Sequence, residues 1–301
     1  MDVQEQLTNF GYCSMSRGRS DYEGFYGVSE GTRFYGFHCH DFYEIYLYIQ
    51  GARHFGVDNS VYTMEPNQLV IIPPFRMHGF LREGSVPCYE RGYLYCSSEF
   101  LNRIGCGLID LSVLLSDQSD GPDCLIYSLA QEKAEECREL LCRLMSNSCA
   151  RTPYDRFTDL TYILPFFRII LETMRNISPR MSAPVGSSGM HDVLVYVNEH
   201  FTEPLTLETL SAQCGLSVST LSHEFMRYTH HSVYNYILYR RIMLAKQKLF
   251  EPISLSDVSL LCGFGDYSNF LRAFKKIVGI SPKEYREQIQ ARMEFSQSPL
   301  G

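Results

Sequence analysis

Three histidines and one glutamate in this chain are spaced so that a strand-rich fold would bring them together. His38 and His40 are two residues apart, so an extended strand turns both to one face. Glu44, four residues on, stays on that face, and His78 would come from a partner strand. Three imidazoles and a carboxylate are a donor set for Fe(II), Mn(II) or Zn(II). Such a centre would sense metal or oxidant, or catalyse a metal-dependent reaction. The same four side chains also suit the lining of a ligand cavity, or pairing with one another. Phe34, Tyr43, Tyr46 and Tyr48 would add aromatic walls, and aromatic faces with a few polar groups suit sugars and other small polar molecules. They suit an ordinary core equally, because a one-residue slip of register exchanges the two faces of a strand. The expected role of His38, His40, Tyr43, Glu44 and His78 is to line a small-molecule cavity. No metal, cofactor or catalytic residue is expected.

A second set of residues is cationic. The stretch from Ile253 to Arg286 places two short amphipathic helices around a tight glycine turn and then a third helix. The second of these carries Arg272, Lys275 and Lys276. Cations on the second helix of such a pair are the outline of a helix-turn-helix, which points to double-stranded DNA as partner.

That outline occurs twice. Leu207-Glu208-Thr209-Leu210 precedes Cys214-Gly215-Leu216, and Leu255-Ser256-Asp257-Val258 precedes Cys262-Gly263-Phe264. Gly215 and Gly263 suit the left-handed residue that ends a helix. At about 100° per residue, Leu221, Phe225 and Tyr228 form a buried stripe in the first copy, and Phe270, Phe274 and Ile277 in the second. The outward positions are then Ser219, His223 and Arg227, with Thr220 and Met226 beside them. In the second copy they are Ser268, Arg272 and Lys276, with Asn269 and Lys275 beside them. Arginine bonds guanine through two parallel N–H groups, while Ser and Asn suit other base edges or phosphates. A solvated polar face is the ordinary alternative for any one helix; its recurrence in both copies favours DNA. Between the copies, Val233 to Phe250 predicts one helix that holds two readers at the spacing of successive major-groove segments, about 34 Å. Arg240 on it could serve the core junction or a phosphate, with a buried ion pair the favoured role.

These residues need a scaffold. Residues 20–100 are rich in Tyr, Phe, Val and Ile and broken by Gly, Pro and Asn, which predicts a small barrel or sandwich of short strands. Leu125 to Cys149 has apolar residues at helical steps, and a second apolar helix is expected from Tyr154 to Arg175, kinked or broken at Pro165. These two helices are expected to form a dimerisation element; packing on their own sheet is the alternative. Ser178 to Met190 reads as a flexible linker, and residues 295–301 as a frayed tail.

The bulk properties fit that layout. At 301 residues the chain accommodates two cores. The net charge of −7 is uneven: 16 Lys and Arg face 23 Asp and Glu up to residue 190, and 11 face 11 beyond it. The C-terminal part is thus neutral, and its local clusters matter more than its sum. Eleven scattered cysteines read as reduced thiols. No secretion signal or membrane span is expected, and the location expected is cytoplasmic.

The segment Asp192 to Glu287 resembles the DNA-binding domain of the AraC/XylS family of bacterial transcription regulators. The match runs through Gly263-Phe264, Tyr267, Asn269-Phe270, Arg272, Phe274-Lys275-Lys276, Gly279, Ser281-Pro282 and Tyr285-Arg286. The first copy departs from it, with His230 and His231 in the usual Gly-x region. Ser259 stands where the family usually has Ala. More weakly, His38, His40, Phe42-Tyr43-Glu44, Gly51, Asn67 to Pro73 and His78 are similar to the cupin-like sensor domain of such regulators. Asn67 and Phe75 replace that motif's usual glycines. The resemblance implies an α+β chain: a cupin-like effector domain over 1–110, a helical dimerisation element over 111–176, a linker over 177–190, a double helix-turn-helix domain over 191–290 and a tail. It implies a ligand-responsive regulator that acts as a homodimer on DNA, with RNA polymerase as a further partner.

Overall fold

The computed structural model describes residues 21–30, 37–81, 86–116, 124–146, 152–179 and 189–297. They form two compact units. One is built on the strands and helices up to Asn176. The other is built on the helices from Gly189 onward, with which Phe37–His40 group.

The first unit contains β1 (Tyr22–Glu30), β2 (Tyr43–Gln50), β3 (His54–Val57), β4 (Ser60–Thr63), β5 (Gln68–Ile72), β6 (His78–Phe80), β7 (Cys88–Cys96) and β8 (Leu125–Ser128). Its helices are α1 (Ser98–Ile104), α2 (Leu111–Ser116), α3 (Gln131–Ser146) and α4 (Pro153–Asn176). The strands make a five-stranded sheet in the order β1-β7-β2-β5-β8 and a three-stranded sheet in the order β4-β3-β6. The pairings within them are antiparallel.

β2 is covered on both sides. Tyr43, Ile45 and Leu47 join Leu69, Ile71 and Leu94 in a core closed by Cys137, Leu141, Leu144, Phe166 and Ile170 of α3 and α4. Each fully buried Leu, Ile or Phe there contributes about 1.5–3 kcal/mol. The alternate residues Glu44, Tyr46 and Tyr48 take the opposite face, where Tyr46 stacks on Phe55 at 6.2 Å and Tyr48 on Phe80 at 5.9 Å. The two sheets therefore face each other across an aromatic interior. α3 lies directly on the outer face: a Cβ at Gly24 would come 2.4 Å from Leu144, and one at Gly92 2.6 Å from Leu141.

Several expectations change here. Leu125–Ser128, expected in a helix, is an edge strand paired with β5, because its apolar residues complete the sheet before the helix starts at Gln131. α4 runs unbroken through Pro165. His78 reaches the interior from the facing sheet, not from a strand paired with β2. Phe34 and linker residues 180–188 lie outside the described residues.

The second unit contains α5 (Gly189–His200), α6 (Leu207–Cys214), α7 (Val218–Thr229), α8 (Val233–Lys248), α9 (Leu255–Leu261), α10 (Tyr267–Val278) and α11 (Pro282–Gln297). The last runs past Phe295, so the expected tail begins later. Thr206, Ser217, Ser232, Ser254 and Asp266 cap the starts of α6 to α10, each accepting a backbone N–H that the helix leaves unpaired. Left-handed residues end α6 at Gly215 (φ 66°), α7 at His230 (φ 62°) and α10 at Gly279 (φ 90°). Leu221 and Phe225 of α7 are fully buried, as are Phe270 and Phe274 of α10. Thr229 closes the first stripe where Tyr228 was expected; the tyrosine is half-buried. Among the described residues no helix is long and apolar enough to cross a membrane.

Gly263 carries two constraints at once. Its φ is 79°, and a Cβ there would meet the Thr202 carbonyl oxygen at 2.2 Å. Gly279 has the left-handed backbone without any neighbour within 4 Å of the added carbon. Gly279→Ala should therefore cost about 1–2 kcal/mol, and Gly263→Ala about 3 kcal/mol or more, because backbone must also move. Urea unfolding of the two variants checks this; equal losses would contradict it.

Candidate functional site

Glu44 and His78 meet in the interior of the sheet unit. His78 Nε2 lies 3.0 Å from Glu44 Oε2, and both side chains are almost fully buried. The loop before His78 is fixed: Arg76 Nη1 donates to Asp58 Oδ2 at 2.9 Å, and Met77 N to Asp58 Oδ1 at 3.0 Å. His78 Nδ1 is 2.9 Å from the Arg76 carbonyl oxygen. A carbonyl only accepts, so those partners assign the hydrogen to Nδ1. Nε2 then faces a carboxylate, and two lone pairs at that distance need a proton or another cation between them.

His38 and His40 sit just before β2, with ring centroids 6.0 Å apart. The ligand atoms of His38, His40, Glu44 and His78 all lie within 4.8 Å of one another. They are the donors expected from the sequence, and the hydrogen bond at the far nitrogen of His78 is the usual support of a metal-binding imidazole. Asn67 and Phe75, in place of the resemblance's glycines, hold the same left-handed backbone, at φ 63° and 68°.

Tyr43 is elsewhere. It lies in the outer core and its hydroxyl donates to the Ser112 carbonyl oxygen at 2.8 Å. Strand alternation puts it opposite Glu44, which corrects its assignment to the effector group. Tyr46 faces inward, and its hydroxyl is 2.6 Å from that of Tyr89. Burial drives both phenols above the ordinary tyrosine range, so both stay neutral. Arg91 is buried beside them, 4.5 Å over the Tyr89 ring and 5.5 Å over Phe25, and donates to Ser29 Oγ at 3.3 Å. Tyr89, Arg91, Tyr93 and Tyr95 were not among the expected site residues, although their two-residue spacing in β7 is the mark of a strand with one polar-aromatic face.

In the helical unit, Phe37 is buried and its N–H donates to the Thr229 carbonyl oxygen at 3.1 Å. The His231 ring donates through Nε2 to the Phe37 carbonyl oxygen at 2.5 Å. Burial holds His231 below the ordinary imidazole range, which keeps it a neutral donor.

The polar faces of α7 and α10 are open. Ser219, Thr220, His223 and Arg227 are exposed on one, and Ser268, Asn269, Arg272, Lys275 and Lys276 on the other. Arg272 Nη2 donates to Asn269 Oδ1 at 2.5 Å, and Asn269 N to Asp266 Oδ1 at 2.7 Å. On α7, Arg227 donates to Glu224 Oε2 through Nε at 2.9 Å and Nη2 at 2.5 Å. His223 Nδ1 is 3.2 Å from Glu224 Oε1. Arg227 first, then His223, holds the Glu224 carboxyl below its usual range.

α8 joins the two helix pairs. Tyr236 and Tyr239 are fully buried on it, and Tyr236 OH donates to Asn198 Oδ1 at 3.1 Å. Arg241 donates to the carbonyl oxygens of Phe201 at 2.6 Å and Glu203 at 2.7 Å. Arg240 lies 5.1 Å over the Phe201 ring.

Comparison with known proteins places these units. An AraC-like ligand binding domain matches residues 23–151, and a helix-turn-helix domain matches residues 210–288. The uncharacterized HTH-type transcriptional regulator YdiP of Escherichia coli K12 is 26% identical over 269 residues, covering 85% of this chain and 82% of its own. The HTH-type transcriptional activator RhaS of Klebsiella pneumoniae is 22% identical over 254 residues, covering 83% and 87%. The DNA-binding domain of AdpA, solved with a target DNA, is 27% identical over 35% of this chain and 96% of its own, with a TM-score of 0.34.

Proposed function

The chain belongs to the AraC/XylS family of transcription regulators, and we propose that it grips DNA through two helix-turn-helix units under the control of a small molecule held in a cupin-like sheet domain. It is a DNA-binding transcription regulator with an AraC-type ligand-binding domain. The observation that carries the two-unit reading is the repeated pair, α6–α7 and α9–α10. Each second helix is buried on one stripe and open on a polar one. α8 sets their separation. Arg272 and His223 are the base readers, Lys275, Lys276 and Arg227 the phosphate contacts, and Ser219, Thr220, Ser268 and Asn269 the hydroxyl and amide partners.

The effector would lie in the aromatic interior beside Glu44, His78, Tyr46 and Tyr89, with His38 and His40 at its edge. A sugar or another small polar molecule suits those walls. A ligand with different affinity for two arrangements of the protein would shift their populations. A homodimer would form through α4, where Tyr154, Phe157 and Leu164 are 78%, 71% and 48% exposed at helical spacing. A two-fold contact buries such a stripe against its own copy. The promoter-bound dimer would then engage RNA polymerase.

A second reading rests on the Glu44–His78 contact. The cation between them would be a metal, held by His38, His40, Glu44 and His78, which would make the domain a metal or redox sensor or give it cupin-type enzyme activity. The donor set fits Fe(II), Mn(II) or Zn(II). Elemental analysis of purified protein decides it: about one metal per chain, lost in His38→Ala, supports this reading, and metal-free protein that still responds to an organic effector removes it.

Two further outcomes are expected. In fluorescence anisotropy with duplex DNA, Arg272→Ala should cost about 1–3 kcal/mol and relax base preference at one position. Lys276→Ala should weaken binding to all sequences alike and lower the salt slope by about 1. Absence of DNA binding by the full chain at low salt would end the main reading. Phe157→Glu with Leu164→Glu should convert dimer to monomer in sedimentation velocity; an unchanged sedimentation coefficient would place the dimer seam elsewhere.

A further inference from the structure

The two exposed helix faces treat their arginines differently. Arg272 is held by the neutral amide of Asn269, which is itself anchored on the capping carboxylate of Asp266. Lys275 and Lys276 stand exposed on the same helix. Arg227 is held by a carboxylate, through both Nε and Nη2 on one oxygen of Glu224. His223 rests on the other oxygen. The repeat that aligns Leu221 with Phe270 aligns Glu224 with Ala273, so the acid belongs to the first copy alone. On α7, Glu224 cancels Arg227.

We propose that Glu224 is a positioning residue that withholds Arg227 from the backbone of non-cognate DNA. The inference rests on the two-unit DNA reading. A phosphate bound by Arg227 must displace a carboxylate already using the same guanidinium edge, so a non-cognate backbone contact gains little. The pair is exposed and contributes little to stability, so its loss acts on binding while the fold stays intact. Each phosphate neutralised by a cation steepens the dependence of log K on log salt by about 0.9. A wild-type slope should therefore lack the Arg227 contribution.

The test uses the full chain and a mixed-sequence duplex, titrated by anisotropy from low to moderate salt. Glu224→Gln should bind this duplex roughly tenfold more tightly at low salt and steepen the slope by about 1. The double variant Glu224→Gln, Arg227→Gln should lose both gains. An unchanged slope in the single variant overturns the proposal. So does a gain that persists in the double variant, since Glu224 would then act as a lone repelling charge. No binding by the wild-type chain at any salt would end the DNA reading itself, and the proposal with it; that outcome is distinct from the other two.

Discussion

The sheet domain depends on one constraint, that β2 is buried on both faces and so must satisfy two different neighbours at a period of two residues. Its outer residues, Tyr43, Ile45 and Leu47, are large and apolar because α3 and α4 lie against them. Its inner residues, Glu44, Tyr46 and Tyr48, include a carboxylate and two phenols because the facing sheet leaves polar partners there. A buried carboxylate without such a partner costs several kcal/mol. His78 meets that need from β6, and its own position is fixed by the Asp58 and Arg76 contacts one turn away. The polar centre therefore determines how β6 must sit, and with it the loop from Pro73 to Met77.

This also explains what could be read from residue types and what could not. Strand alternation does not account for the group His38, His40, Glu44 and His78: His38 and His40 precede β2, which starts at Tyr43, and a bend at Asp41 and Phe42 interrupts the alternation. Tyr43 was misplaced because adjacency on a strand means opposite faces, and without register Tyr43 and Tyr46 look alike. Leu125–Ser128 differs from its expected helix because a short apolar run, Leu125-Ile126-Tyr127, fits a strand or the start of a helix equally. Only the pairing with β5 separates the two, and that pairing joins residues far apart in the chain. Tyr89 and Arg91 were missed although the alternation in β7 announced them. The helical unit was more legible because its signals are local: Ser, Thr and Asp at helix starts, glycine at helix ends, and apolar steps of three and four.

The helical unit shows how far local signals reach. Both copies of the helix pair use the same stripe and the same left-handed exit. His230 takes the exit of α7 where glycine takes that of α10. A non-glycine residue there carries a backbone cost, and the next residue, His231, gains a donated hydrogen bond to Phe37. The departure from the family pattern at His230 and His231 thus coincides with the point where the 37–40 segment docks. A sequence that looked merely irregular has a local structural reason.

Net charge is the least informative property of this chain for its partner. The whole chain is acidic and residues 191–301 are neutral, yet neither value describes the surface that meets DNA. Field strength within a Debye length, about 8–10 Å, depends on which charges are near and which are already paired. In the helical unit, Lys248 is paired with Glu251 and Arg227 with Glu224, while Arg241 is spent on backbone carbonyls. None of these cations is at full strength toward solvent. Arg272, held by an amide, stands among the exposed lysines of α10. These cations of a neutral domain thus differ in what holds them: a carboxylate for Arg227 and Lys248, backbone carbonyls for Arg241, an amide for Arg272.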